Sequence, residues 1–202
     1  MIKLLFSLPI FLLSVMIHEV AHGWVAYRLG DSTAKDSGRL SLNPVRHIDP
    51  VGTIILPALL IATNSPVVFG WAKPVPINFL NLKHIRRDSI LVSLSGISAN
   101  ILLAALLSLI MKTGIYPENS YGSMILNVGI IVNLILAVFN AIPIPPLDGS
   151  HILMGLLPSR MARRFARIQP YGFFILFFLL YVGLVNRVIW PIVAFLYYAL
   201  TK

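Results

Sequence analysis

LLFSLPIFLLSVMIHEVAHGWVAY, residues 4–27, is a continuous apolar run that nevertheless holds two histidines and a glutamate within five consecutive positions. A helix needs roughly 20 apolar residues to cross the hydrocarbon of a bilayer, and this run meets that length. Two further blocks do so, Ser89–Met111 and Met124–Leu147. With 57% hydrophobic and 11% charged residues, the chain reads as an all-α integral membrane protein. The expected fold is a polytopic helical bundle of about five to six transmembrane segments. Lys3 ahead of the first run suggests a signal peptide, but the run exceeds the usual apolar region of roughly 7–15 residues and shows no small-residue cleavage site. It is expected to remain in the mature protein.

The longest polar stretches, Gly30–Pro50 and Asn64–Asp88, are too short to bury a core of their own. Residues 1–202 are therefore read as one membrane domain, with a functional core over about 4–158. Val51–Thr63 is apolar but short and contains Pro57. As a helix it would reach about 20 Å against a hydrocarbon core of about 30 Å, so a re-entrant or half-inserted segment is expected. Tyr171–Val185 and Val188–Leu200 are separated by Asn186 and Arg187. They are read as a tight helical hairpin over about 171–200, because a single tilted helix would put Arg187 mid-bilayer at a cost of roughly 2.5–3.5 kcal/mol.

The net charge of +9 raises nucleic acid as a partner. The basic residues lie in short loops between apolar blocks, with no aromatic-interleaved basic domain to hold a strand, so no nucleic-acid function is expected. The sequence contains no cysteine, which leaves His, Asp and Glu to hold any transition metal.

His18-Glu19-Val20-Ala21-His22 supplies such a set. At 3.6 residues per turn the two histidines stack on one helix face, where both imidazoles can reach one metal ion. Glu19 lies about 100° round the helix from His18, beside the metal without ligating it. From there a carboxylate can take a proton from the attacking water and pass it to a leaving amine. The plain alternative is a structural pair of buried histidines. Against it stands the expense of three ionisable residues in five positions of a transmembrane helix.

A catalytic zinc ion usually has three protein ligands and an open position for water, so a third ligand must come from elsewhere. Asp31, Asp36, Asp49, Asp88 and Glu118 lie in loops or at span ends, which leaves Asp148 as the other acid set against apolar sequence. It follows Pro143, Pro145 and Pro146, which must break the Met124–Leu147 helix. Irregular backbone at membrane depth survives where it is buried in protein or lines a wet cavity. An ordinary Asp-Gly turn is the competing account of Asp148, and His151 is a rival ligand.

These residues resemble the site-2 protease family of intramembrane zinc metalloproteases. The resemblance rests on HEVAH at 18–22, on Ser95-Gly96-Ile97-Ser98-Ala99-Asn100 in the next full span, and on Asn140 to Gly149, which is similar to the family's N-x-x-P…D-G element. It covers most of the chain to about Pro158. It implies Asp148 as the third zinc ligand, one Zn2+ per chain, and Asn140 as a residue that steadies the substrate backbone or the oxyanion. Ile97 stands where many relatives have proline, and no PDZ or CBS domain is seen in the chain. Asn100, Ser95 and Ser98 can polarise the site, but small and polar residues in spans also serve close helix packing, as read for Asn127 and Asn133.

If Val51–Thr63 does not cross and the two following spans run up and then down, His22 and Asp148 come to the same face. This topology puts Arg28, Lys35, Arg39, Arg46, Lys73, Lys83, Arg86, Arg87, Arg160, Arg163, Arg164 and Arg167 on one side, against Lys3 and Lys112. The basic side is expected to be cytoplasmic, with the amino terminus outside. The Arg160–Arg167 run is read as contacting anionic headgroups.

The expected activity is zinc-dependent hydrolysis of a transmembrane or membrane-tethered protein substrate, with Glu19 as general base. A substrate helix must unwind to be cut, and Val67–Asn78 with Asn140 can offer backbone partners by strand addition, with loop filler as the plain alternative. A metal transporter and a catalytically inactive chaperone of protease descent are the competing functions. A transporter predicts polar residues spread through the depth of several spans; here they gather at one place.

Overall fold

A computed structural model describes residues 2–63 and 73–202 of the chain. The chain opens with α1 (Ile2–Leu29) and the short α2 (Thr33–Asp36). A π-helical turn over Pro50–Ile55 leads into α3 (Leu56–Ala62). Two long helices follow, α4 (Ile85–Lys112) and α5 (Tyr121–Asn140), then α6 (Asp148–Leu156) and α7 (Ser159–Ala166). The chain ends with α8 (Gly172–Tyr181) and α9 (Trp190–Thr201). Among the described residues no strand occurs.

Three helices are long and apolar enough to cross a membrane: Ser7–Leu29, Ile85–Lys112 and Tyr121–Asn140. The pair Ser159–Tyr181 and Val185–Thr201, bent by 72°, makes a fourth if it counts as one span. The figure of five to six counted 51–63 and the two tail helices separately, and each of those is too short to span alone. The apolar piece Pro50–Ala62 is one of these shorter helices. The tail bends at Val182–Leu184 instead of folding back as a hairpin, and Gly183 there takes φ +94°, a conformation that glycine adopts cheaply. The third span stops at Asn140, short of Leu147, because the prolines that follow offer no N–H to continue a helical ladder.

Helix α4 is central, packing on α1, α5, α6 and α9. Ala104, Ile130, Leu134, Ile189 and Val193 form a buried cluster among α4, α5 and the tail. Large apolar side chains such as Leu102, Leu109 and Phe174 point outward and are well exposed, as expected of surfaces that meet lipid.

Helices α1 and α4 pack antiparallel. His22 touches Val92, while the amino-terminal residue Ser14 meets Asn100, two turns further along α4. A single crossing between them would have made these helices parallel, so the register agrees with a non-crossing Val51–Thr63.

Asp31, just past α1, is fully buried and knots the loops on this side together. Its carboxylate accepts from the backbone N–H and hydroxyl of Thr33, from the Asn78 N–H at 2.7 Å and from Asn81 Nδ2 at 2.9 Å. Burial alone would push this carboxyl up, but the hydrogen bonds outweigh it and hold the group below the usual carboxylate range. With the folded pKa depressed, the stabilisation is complete above the unfolded value of about 3.9 and is lost as pH falls through the folded one. Asp31→Ala is expected to destabilise the protein by roughly 2–4 kcal/mol, since the Asn78 and Asn81 donors lose their partner. The difference from wild type should shrink below about pH 4, which thermal melts in detergent at pH 7 and pH 3.5 can check.

Candidate metal centre

The four-residue spacing of α1 is answered by the same spacing on α4. Ser14, His18 and His22 face Val92, Gly96 and Asn100 across the interface. His22 Nδ1 lies 2.7 Å from the Val92 carbonyl oxygen, which can only accept, so that nitrogen carries the proton. His18 Nδ1 lies 2.7 Å from Asn100 Oδ1 and donates to it in the same way. As neutral imidazoles, both rings therefore present Nε2 lone pairs. The two Nε2 atoms lie 2.9 Å apart, with both rings buried.

Asp148 comes to them from the other side of the site. It is the first residue of α6, right after the proline-broken stretch. Its Oδ2 lies 3.1 Å from each of the two Nε2 atoms, and the three donor atoms fall within 4.8 Å of one another. Gly149 lets α6 start this close to the end of α5, because a Cβ there would collide with the carbonyls of Ala141 and Ile142. The Asp-Gly pair thus opens a helix; it is not a plain turn. His151 takes no part in the cluster, as its ring stacks on Phe79 with centroids 4.9 Å apart.

The donor set fits a divalent transition metal. Oδ2 is buried and, with both imidazoles neutral and protonated on Nδ1, has no hydrogen-bond donor. Three lone-pair atoms turned toward one point repel one another unless a cation lies among them. The space is also reserved by Gly96, whose missing side chain would strike the His18 and His22 rings. Gly96→Ala is expected to displace the imidazoles and weaken zinc binding by about 10–100-fold, the range seen when the surroundings of metal ligands are altered. Competition with a chromophoric chelator measures it, with helical content by circular dichroism expected to stay at the wild-type level.

Glu19, next to His18 in the chain, reaches with one carboxylate oxygen to the loop that follows the undescribed residues. Its Oε2 accepts the Val75 N–H at 2.8 Å. Pro74 and Pro76 bracket Val75, so Val75 is the sole N–H donor of that triplet. The loop is fastened on both sides. Lys73 N–H donates to the His47 carbonyl, Arg39 donates to the carbonyls of Lys73 and Pro74, and Asn78 is held by Asp31. Gly23, one turn beyond Glu19, leaves the room that Val75 needs against α1.

Asn100, read as able to polarise the site, and Asn140, read as steadying the substrate backbone or the oxyanion, both have partners within the protein. Asn100 is fully buried; its Nδ2 donates to Ser14 and Asn133 and its Oδ1 meets His18. Asn140 is partly buried and donates to the Leu136 carbonyl of its own helix at 3.0 Å. Ser95 bonds the Val92 carbonyl and lies 3.4 Å from His22 Nδ1, while Ser98 is exposed. The Val75 contact, the Gly96 cradle and the Val92 carbonyl were not foreseen from sequence. Spacing by four from Asn100 through Gly96 to Val92 was the one signal available for the last two.

Residues 110–183, which include Asn140 and Asp148, match the model of peptidase family M50. Over 187 residues the chain is 37% identical to the protein named "Putative zinc metalloprotease YwhC" of Bacillus subtilis, covering 89% of this chain and 82% of that protein. It is 32% identical over 177 residues to "Putative zinc metalloprotease Rip2" of Mycolicibacterium smegmatis, covering 87% and 66%. No solved structure matches it. The resemblance to the site-2 proteases and these relationships agree, and the chain belongs to peptidase family M50.

Proposed function

We propose that the chain is an intramembrane zinc metalloendopeptidase that hydrolyses peptide bonds of transmembrane or membrane-tethered proteins. His18, His22 and Asp148 would hold the ion, and Glu19 is the general base. The observation that carries this reading is the buried meeting of two imidazole lone pairs and an unpartnered carboxylate oxygen beside a glutamate. Zinc, when bound, supplies Lewis acidity toward the scissile carbonyl and makes water a nucleophile near neutral pH.

The chain's own residues do the rest. The Nδ1–H bonds to Asn100 and Val92 fix both rings, so the donor atoms are in place before an ion arrives. Oε2 of Glu19 is held by Val75, and its other oxygen can take a proton from water and return it to the departing amine. Strand addition by the segment 67–78 is less favoured than the sequence suggests. Residues 67–72 lie outside the described residues, and in 73–78 the donors of Lys73, Val75 and Asn78 are engaged and Pro74 and Pro76 have none, which leaves the Ile77 N–H. The described part of this loop positions Glu19. For Asn140 to steady an oxyanion, its amide must leave the Leu136 carbonyl. The excess of basic residues in the loops on one side of the spans supports a site toward the cytoplasmic face, with the amino terminus outside.

The test is to purify the chain in detergent, measure bound zinc, and incubate it with transmembrane peptides before and after chelation. One zinc per chain and chelator-sensitive cleavage are expected. A chain free of metal under zinc-replete conditions, or cleavage indifferent to chelation, would sink the proposal.

A further inference from the structure

Behind His18 lies a line of buried polar groups that the proposed chemistry does not use. Asn100 on α4, Asn133 on α5 and Ser14 on α1 are at most 1% exposed. Asn100 Nδ2 donates to Asn133 Oδ1 at 2.8 Å and to the Ser14 carbonyl at 3.2 Å. Asn133 Nδ2 donates to Ser14 Oγ at 2.9 Å and to the Gly129 carbonyl at 2.9 Å, and Ser14 Oγ donates to the Ile10 carbonyl at 2.8 Å.

The direction of this line is set at its far end. The carbonyls of Gly129 and Ile10 can only accept. Asn133 must therefore turn its NH2 toward Gly129 and its oxygen toward Asn100. Asn100 must then answer with NH2 and present its own oxygen to His18, which in turn must carry its proton on Nδ1. If either amide were reversed, two acceptors would face each other in a water-free interior, where an unmet polar group costs most. We propose that Asn133, seated on Ser14 and the Gly129 carbonyl, is a positioning residue. Acting through Asn100, it fixes the tautomer of His18 so that the Nε2 lone pair faces His22 and Asp148. This rests on the zinc reading above.

Asn127 provides the control, since it lies on the same helix and bonds Tyr197 outside this line. The experiment measures zinc affinity by chelator competition, and the visible spectrum of the cobalt-substituted protein, for wild type, Asn133→Leu, Asn127→Leu, Asn100→Ala and the Asn100→Ala/Asn133→Leu double variant. Asn133→Leu is expected to weaken zinc binding about 10–100-fold and to change the cobalt spectrum, with Asn127→Leu unchanged in both. The double variant should bind no more weakly than Asn100→Ala alone, because Asn133 acts only through Asn100. If Asn133→Leu does not fold, Asn133→Thr carries the same expectation. Wild-type affinity and spectrum in the folded Asn133 variant, or additive losses in the double variant, overturn the inference and leave the zinc reading standing. A wild type that binds no zinc overturns both.

Discussion

Glu19→Gln is expected to lower the rate of peptide cleavage by about 10²–10⁴-fold while bound zinc stays at the wild-type level. The substitution separates two jobs that the side chain performs. A glutamine oxygen can still accept the Val75 N–H, so the loop over 73–78 should keep its seat. An amide cannot take a proton from water at neutral pH, so the base is gone. Initial rates on a transmembrane peptide, with zinc measured on the same samples, check both halves. Equal cleavage by the two proteins would show that the proton goes elsewhere.

Asp148→Ala is expected to produce the second large loss, a fall in zinc affinity of more than about 10²-fold with cleavage falling alongside it. Two imidazoles remain in that variant, and two nitrogen donors leave a tetrahedral ion short of a protein ligand. The clearest readout is thermal. Wild type should gain stability as free zinc rises, following RT ln(1 + [L]/Kd), whereas the variant should melt at one temperature across the same zinc range. A zinc-dependent melt in Asp148→Ala matching wild type would remove Asp148 from the ligand set.

Much of this was legible in the linear chain. Apolar blocks gave the three long helices, because a membrane span is specified by length and composition before any tertiary contact forms. His18 and His22 were legible because helical periodicity alone puts them on one face. Asp148 was reached by elimination and by resemblance, since nothing local shows where a residue beyond three prolines will lie. The end of α5 was misplaced because Ala141 and Ile142 are as apolar as the helix before them, and only the missing proline N–H groups end it. The tail angle was not legible at all, because composition gives the lengths of Tyr171–Val185 and Val188–Leu200 but not the direction taken at Gly183. Sequence reads Asn133 as a packing residue and leaves Asn100 between packing and polarising the site. A side-chain amide looks the same in sequence whether it joins two helices or orients a ligand, and the partners of these two on other helices lie 33 to 119 positions away.

The matched spacing of α1 and α4 sets a rule for this architecture. Ser14, His18 and His22 engage Asn100, Gly96 and Val92 at equal steps, so the two helices read each other like the teeth of a rack. One residue added between Val92 and Asn100 would swing everything beyond it by about 100° and disengage part of the set at once. Changes of length near the metal can therefore be absorbed only in the connections outside these two helices.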